Sequence, residues 1–285
     1  MDWAIGNEWK DSKRGLYKKI LAIKFVKLHK PTTLSICRVK ISNISSLEDR
    51  QSSYLRQIDE FDLEMGSAVT PVDCYIEILV QNMLLGEASQ CQIKSKSGEP
   101  INFEISLIAI SPTKYLFQLN VKEIYDLAQK YRANGVEMFK TYPKFAHEYF
   151  CRAAKCLISF KPFDVLAKES NELDGTDMKV LLQTLQTNIA ACLLQEQRFE
   201  DVLCLTEFVN SMSPDEIKDV EKALYRRALA YSNVKAYDKV LATLDKVDNI
   251  RDKKEFMALY NRTKENWKRD EDHYKSIVQR MFNKR

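Results

Sequence analysis

The side chains able to do acid–base, metal or nucleophilic chemistry are sparse in this 285-residue chain. There are three histidines, at 29, 147 and 273, and seven cysteines, at 37, 74, 91, 151, 156, 192 and 204. His147 and Cys151 stand four apart on one predicted helix, with Cys156 close by. Zinc, however, needs four ligands in fixed tetrahedral geometry. Cys156 lies about a turn and a half farther on, so helix packing accounts for the trio better than a metal. No Cys-x-x-Cys occurs and the cysteine number is odd, which argues against a zinc ribbon or a disulfide framework. A Ser-His-Asp or Cys-His constellation lacks a second conspicuous histidine. Asp59, Glu60, Asp62 and Glu64 form an acidic stretch, but alternation puts Glu60, Asp62 and Glu64 on one solvated strand face. Lys18, Lys19, Lys24, Lys27 and Lys30 suit a basic helix lying on a membrane. The partial alternation from Ile23 to Leu28 favours a strand there instead. The expectation is therefore no catalytic residue, no metal and no cofactor.

Composition narrows the field further. The chain is 45% apolar and 29% charged, with a net charge of +4 and only seven glycines. That is enough apolar material for a packed core. The glycine shortage favours helices, and no Gly-x-Gly-x-x-Gly or Gly-x-x-x-x-Gly-Lys loop is present to cradle a nucleotide. Residues 251–285 hold 11 basic and 6 acidic residues, whereas 119–250 hold 18 and 20. So weak an excess argues against a nucleic-acid partner. No apolar run is long enough to cross a bilayer and residues 1–9 lack a leader-like apolar core. The expectation is no membrane association, a cytoplasmic or also nuclear protein with reduced thiols, and chance sequons at Asn43 and Asn261.

Two textures position these residues. Residues 16–118 carry short strand-like runs at 23–28, 33–41, 61–65, 91–94 and 101–110, several alternating apolar and polar. Between them Val72–Leu85 has helical spacing, closed by Gly86 as a C-cap. An antiparallel sheet with one helix follows, an α+β module over 1–118. From Val121 apolar residues recur at three and four. Helices are predicted over 121–141, 144–159, 177–196, 199–211, 215–233, 236–247 and 252–283. They form three pairs over 119–250 and a long final capping helix over 251–285. An aromatic marks each helix–helix turn: Phe145, Phe199 and Tyr237. Aligning Phe199 with Tyr237 superposes Ala190 on Ala228, Val202 on Val240 and Val209 on Val247. The 38-residue period is near that of tetratricopeptide repeats, which need several stacked units to bury their faces.

An α+β module followed by three such repeats resembles the large immunophilins of the FKBP prolyl-isomerase type. The resemblance is carried by Gly15–Leu21, Glu60–Gly66, Val80–Glu87 and Glu99–Ile105, in order and spacing. It implies a pocket in which Phe61 matches one wall aromatic. The departures are severe. Ile76 stands where the family has a floor Trp, and Val72-Asp73 replaces a Val-Ile pair. Ser95–Pro100 is too short for the flap that brings Tyr, His and Ile to the pocket. A carboxylate such as Asp73 is disfavoured on an apolar wall. The resemblance therefore implies a degenerate, non-catalytic pocket of Phe61, Val72, Asp73 and Ile76. An active isomerase with an unusual pocket is the alternative, as is a pure scaffold.

In the repeats the same resemblance implies a clamp for a terminal carboxylate. Arg132 takes the family's Lys place before Gly135, Asn188 the central Asn, and Lys222 and Arg226 the last two positions. Val136 replaces the remaining Asn. Lys222 and Arg226 are four apart and share a helix face. The implied partner is the acidic C-terminal tail of the ninety- or seventy-kilodalton heat-shock chaperone, and the α+β module would dock a client. A short chain with a degenerate pocket also resembles a clock-associated member of these immunophilins, which implies a casein kinase I-class kinase as client. The final helix, with Trp267, Tyr274, Ile277, Val278, Met281 and Phe282, reads as a cap on the third repeat, with a partner-helix site as the second reading.

Overall fold

A computed structural model describes residues 4–24, 29–45, 52–94, 99–111, 114–166, 173–212 and 220–282. Six strands form one antiparallel sheet: β1 (Glu8–Asp11), β2 (Leu16–Ile23), β3 (Ile36–Ser45), β4 (Phe61–Glu64), β5 (Glu87–Ile93) and β6 (Ile101–Ile110). Their order is β1-β2-β5-β6-β3-β4. The period-2 pattern sends Cys37, Val39 and Ile41 of β3 and Ile101, Phe103, Ile105 and Leu107 of β6 inward. Helix α1 (Pro71–Gln81) covers that face through Ile76, Leu79 and Val80, which are fully buried. Each such burial contributes roughly 1.5–3 kcal/mol. Thr70 caps α1 by accepting from Asp73 N at 3.2 Å, and Pro71 begins it without wasting a donor.

Three sequence expectations need correction in this module. Strand β1 carries little apolar signal and was not expected; it is held in register by its pairing with β2. The helix stops at Gln81, with Asn82 as its cap, rather than running to Leu85. Gly86 instead has φ +79° in the turn that launches β5. The proposed run 23–28 enters the sheet only through Ile23, and residues 25–28 lie outside the described residues, as do 46–51 and 95–98 of the pocket and flap comparisons. One inward position is charged. Lys18, between Leu16 and Ile20, is completely buried, and its ammonium donates to Glu87 and to the Asn82 carbonyl at 2.6 Å. Glu87 also accepts from Leu84 N at 2.9 Å and Ser89 Oγ at 2.6 Å. Burial lowers the Lys18 pKa from its ordinary value.

The helices are α2 (Val121–Met138), α3 (Pro143–Ile158), α4 (Gly175–Gln195), α5 (Phe199–Leu205), α6 (Glu221–Asn233), α7 (Tyr237–Leu244) and α8 (Lys254–Phe282). The run expected over 199–211 breaks after Leu205 into a 3-10 turn, Glu207–Asn210, and residues 213–219 lie outside the described residues. By packing, the chain separates into Met1–Tyr149 and Phe150–Arg285. In the first unit, α2 and the start of α3 pack against the sheet module. Asn134 donates to Gly66 O at 2.9 Å, Tyr149 to Ala68 O at 2.7 Å, and Phe145 meets Tyr75 edge-to-face at 5.3 Å.

In the second unit the 38-residue repeat is written into the backbone. Gln197 and Lys235 both take positive φ, +59° and +58°. The residue after each, Arg198 and Ala236, donates to the carbonyl five residues back, Leu193 and Tyr231, at 2.9 and 3.0 Å. These are the same helix-ending device at equivalent repeat positions. The superposed pairs Ala190/Ala228, Val202/Val240 and Val209/Val247 are all buried. Arg227 staples α6 to α5 by donating to Leu203 O at 2.6 Å and Thr206 Oγ1 at 3.3 Å.

Left-handed backbone costs a non-glycine residue about 1 kcal/mol. Gln197→Gly should therefore stabilise the chain by about that amount. Lys235→Gly should stabilise it less, because Lys235 also donates to Asp270 at 2.9 Å. A raised urea midpoint for Gln197→Gly, with a smaller rise for Lys235→Gly, is the expected outcome. A lower midpoint for Gln197→Gly would show that its left-handed turn is not strained.

Candidate functional site

The pocket region is built around α1. Ile76 is fully buried at the place of the family's floor residue, and Phe61 and Val72 are partly buried beside the core. The segment after residue 51 packs into the same core. Tyr54 packs its ring 5.7 Å from that of Phe61, and Leu55 is fully enclosed.

Asp73 is what anchors this segment. It is 1% exposed, yet it accepts from Ser52 Oγ at 2.5 Å, Ser53 N at 3.0 Å, Ser53 Oγ at 2.8 Å and Tyr54 N at 3.3 Å. It also sits in the first turn of α1, where the helix dipole favours an anion. The expectation that a carboxylate is disfavoured here fails for that reason: the wall at Asp73 is polar, built by the backbone and hydroxyls of Ser52–Tyr54. One turn on, Glu77 does the same for a second loop. It accepts from Gly66 N at 2.8 Å, Ser67 N at 3.1 Å and Ala68 N at 2.8 Å, and from the Tyr54 hydroxyl at 3.2 Å. Burial and the Glu77 charge push the Tyr54 phenol far above its ordinary value.

Sequence reasoning passed over Ser52, Ser53, Tyr54 and Glu77. The available signal was Asp73 and Glu77 at i,i+4 on an otherwise apolar helix face. The pairing residues themselves could not be read from spacing. The acidic stretch before α1 lies on edge strand β4, where Asp62 and Glu64 are exposed and meet Arg38 at 3.2 Å and Lys130 at 2.7 Å.

The four expected clamp residues fall in both units. Arg132, on α2 in the first unit, reaches Gln129 Oε1 at 3.4 Å, and its Nε is buried without a hydrogen-bond partner. Val136 is 54% exposed one turn later, so the place of the missing Asn is open. The other three lie in the second unit. Asn188 is half-buried on α4, and Lys222 is exposed on α6. Arg226, one turn after Lys222, donates to the carbonyl of Thr187, the residue before Asn188. That bond brings α6 against α4 at the level of Asn188. Burial lowers the Arg226 pKa from its ordinary value, although a guanidinium stays charged. Among the described residues no carboxylate pairs with it. Close by, burial pushes the Cys192 thiol up to about 12. In the second unit Asn188, Lys222 and Arg226 are donors suited to an anion; among the described residues no group of three or more His, Cys, Asp or Glu could hold a metal.

The comparisons with known proteins match this geometry in both halves. A family model described as "BDBT FKBP like N-terminal" matches residues 9–112, and one described as "Bride of doubletime-like, TPR domain" matches 120–204. Protein Bride of doubletime of Drosophila melanogaster is 42% identical over 289 residues, spanning 99% of this chain and 100% of that one. The chain belongs to the Bride of doubletime family. It thus combines the FKBP-like sheet module with tetratricopeptide repeats, as the immunophilin resemblance implied. A solved structure, of residues 1-211 of CG17282, is 43% identical, covers 70% of this chain and 98% of its own, and superposes with a TM-score of 0.64. Tyr54 and Leu55 pack beside Phe61 in the core of the sheet module.

Replacing Asp73 by the apolar residue of a working pocket should not open a pocket cleanly. Asp73→Val strands the donors of Ser53 and Tyr54, at a cost of about 3 kcal/mol. The expected readout is faster tryptic cleavage after Arg56 together with a lower urea midpoint. Wild-type stability in Asp73→Val would show that the loop is held by packing alone.

Proposed function

We propose that this chain is a non-catalytic immunophilin-like adaptor. Its repeats, over 119–250 and capped by 251–285, capture the acidic C-terminal tail of a heat-shock chaperone of the ninety- or seventy-kilodalton class. Its sheet module, over 1–118, docks a client protein. The observation that supports the groove most directly is Arg226: a part-buried cation that donates to the Thr187 carbonyl next to Asn188, with no carboxylate partner among the described residues. A buried charge without a counter-ion is costly, and a ligand carboxylate would supply one. The exposed Lys222 would add attraction at the groove's edge.

The name of the Drosophila melanogaster relative, Bride of doubletime, refers to doubletime. A client kinase of the casein kinase I class is our reading for this chain. The groove and the client surface then lie on different modules, so one chain could bring a chaperone to a kinase. Cytoplasm and nucleus are the compartments that suit such partners. Among the described residues no helix is long and apolar enough to cross a membrane.

Two measurements test the reading. A ten-residue peptide with acidic side chains and a free C-terminal carboxylate should bind the full chain, less tightly as salt rises. Amidating its C-terminus should weaken binding about tenfold, equivalent to ~1.4 kcal/mol. Lys222→Glu, at an exposed position, should weaken it without changing the thermal midpoint. Amidated and free peptides of equal affinity would end the clamp assignment.

The isomerase question has its own assay. A slot that lowers the barrier of ~20 kcal/mol to amide rotation must first accept the prolyl peptide. With Tyr54 and Leu55 packed beside Phe61, a protease-coupled assay should show no rate above background. Turnover well above background would overturn the non-catalytic reading.

A further inference from the structure

Helix α8 carries a seam that is longer than the structure it covers. Phe256, Tyr260, Thr263, Trp267, Asp270, Tyr274, Ile277 and Met281 follow one another at alternating spacings of four and three along its 29 residues. That is the spacing of a coiled-coil seam, which holds one face of a helix against a partner helix. The first five positions meet the chain itself, although Trp267 stays 42% exposed. Phe256 meets Tyr225 at 4.8 Å, Tyr260 packs on the cluster of Ala228, Val240 and Leu244, and Thr263 is fully buried. Trp267 stacks over Tyr237 at 6.3 Å, and Asp270 accepts from Lys235 Nζ and Tyr237 Oη, both at 2.9 Å. Past Asp270 the seam continues at the same spacing into exposed side chains. Tyr274 is 68% exposed, Ile277 38%, Met281 71% and the neighbouring Phe282 74%.

We propose that residues 274–282 of α8 dock a helix of a partner protein, one with an apolar heptad seam flanked by carboxylates. The helical occupant follows from continuity. The same seam already receives α6 and α7 at these spacings, and the next helix would sit as another layer of the array. The charge of the occupant follows from the flanks. His273 and Arg280 border the seam on one side, Val278 extends its apolar surface on the other, and no acidic residue occurs after Asp272. Two of the three carboxylates just before the open stretch are engaged, Asp270 with Lys235 and Glu271 with Lys275 at 2.9 Å, and the third, Asp272, lies off the seam. A second copy of this chain fits poorly. In an antiparallel pair the flank of one copy meets the same flank of the other, setting Arg280 beside His273 rather than beside an acid. Acidic residues on a partner would meet Arg280 instead.

The test uses the full chain and two capped synthetic peptides of three heptads with Leu at both seam positions. One carries Glu at the flanks and the other Lys. The expected result is at least tenfold tighter binding of the Glu peptide. Ile277→Asp with Met281→Asp, at exposed positions, should reduce that affinity at least tenfold while leaving the thermal midpoint unchanged. Arg280→Glu should narrow the preference between the two peptides. Equal affinity for the two peptides, or indifference to the double variant, overturns the proposal. So does a peptide-free dimer in sedimentation that the double variant returns to monomer, because the occupant is then a second copy. Co-sedimentation of the wild type but not the double variant with phosphatidylserine vesicles would assign the stretch to lipid and overturn it as well.

Discussion

The carboxylate of Glu77 is the interaction on which the first unit turns. A buried carboxylate is tolerable only when donors surround it, and here three successive backbone amides, Gly66 to Ala68, converge on it. Amides so gathered leave the loop's carbonyls pointing the other way. Gly66 O and Ala68 O then accept from Asn134 and Tyr149 on α2 and α3. One short loop is thus held from inside by α1 and from outside by the first helical pair. The close fit leaves no room at Gly66: with φ +80°, a Cβ there would lie 2.7 Å from the Tyr131 ring. Packing therefore groups α2 with the sheet, although its periodicity belongs to the repeats.

The same helix ties down the segment after residue 51. Ile76 is fully buried, and Leu55 belongs to the same apolar core with Tyr54 packed against it. Tyr54 is tied to both carboxylates at once, by its amide to Asp73 and by its hydroxyl to Glu77. Asp73 is thus the residue that anchors a polar loop to α1. Its position in the first turn of α1 supplies favourable dipole energy that a mid-helix carboxylate would lack.

What could be read from the sequence divides along the same physical lines. Periodicity reports burial, so the inward faces of β3 and β6, the apolar stripe of α1 and the 38-residue repeat were legible residue by residue. It is silent wherever a polar group is buried with its partners. Lys18 obeys the alternation but looks like a surface lysine, because Glu87 is 69 residues away in sequence. Strand β1 is recruited by pairing, not by its own pattern. The early end of α1 follows from the turn at Asn82, whose carbonyl is taken by Lys18. On α6, the spacing of Lys222 and Arg226 placed them on one helix face. The Thr187 carbonyl that holds Arg226 was not, since backbone acceptors leave no trace in side-chain identity.

The proposed capture of an acidic tail by a segment with more acidic than basic residues contradicts simple electrostatics only if charge is counted globally. Exposed charges farther apart than a Debye length, about 8 Å at physiological salt, hardly feel one another. Most carboxylates of 119–250 belong to that class, and several are neutralised locally, as in Lys122–Asp126 at 3.0 Å and Arg198–Asp201 at 2.7 Å. Arg226 differs because it is desolvated. In low dielectric its attraction for an arriving carboxylate is several times what a surface lysine offers. The desolvation cost has already been met by folding, through contacts that hold α4 and α6 together. Only the ligand's own desolvation remains at binding. A short peptide end, with few groups to strip of water, is the anion for which that balance is most favourable.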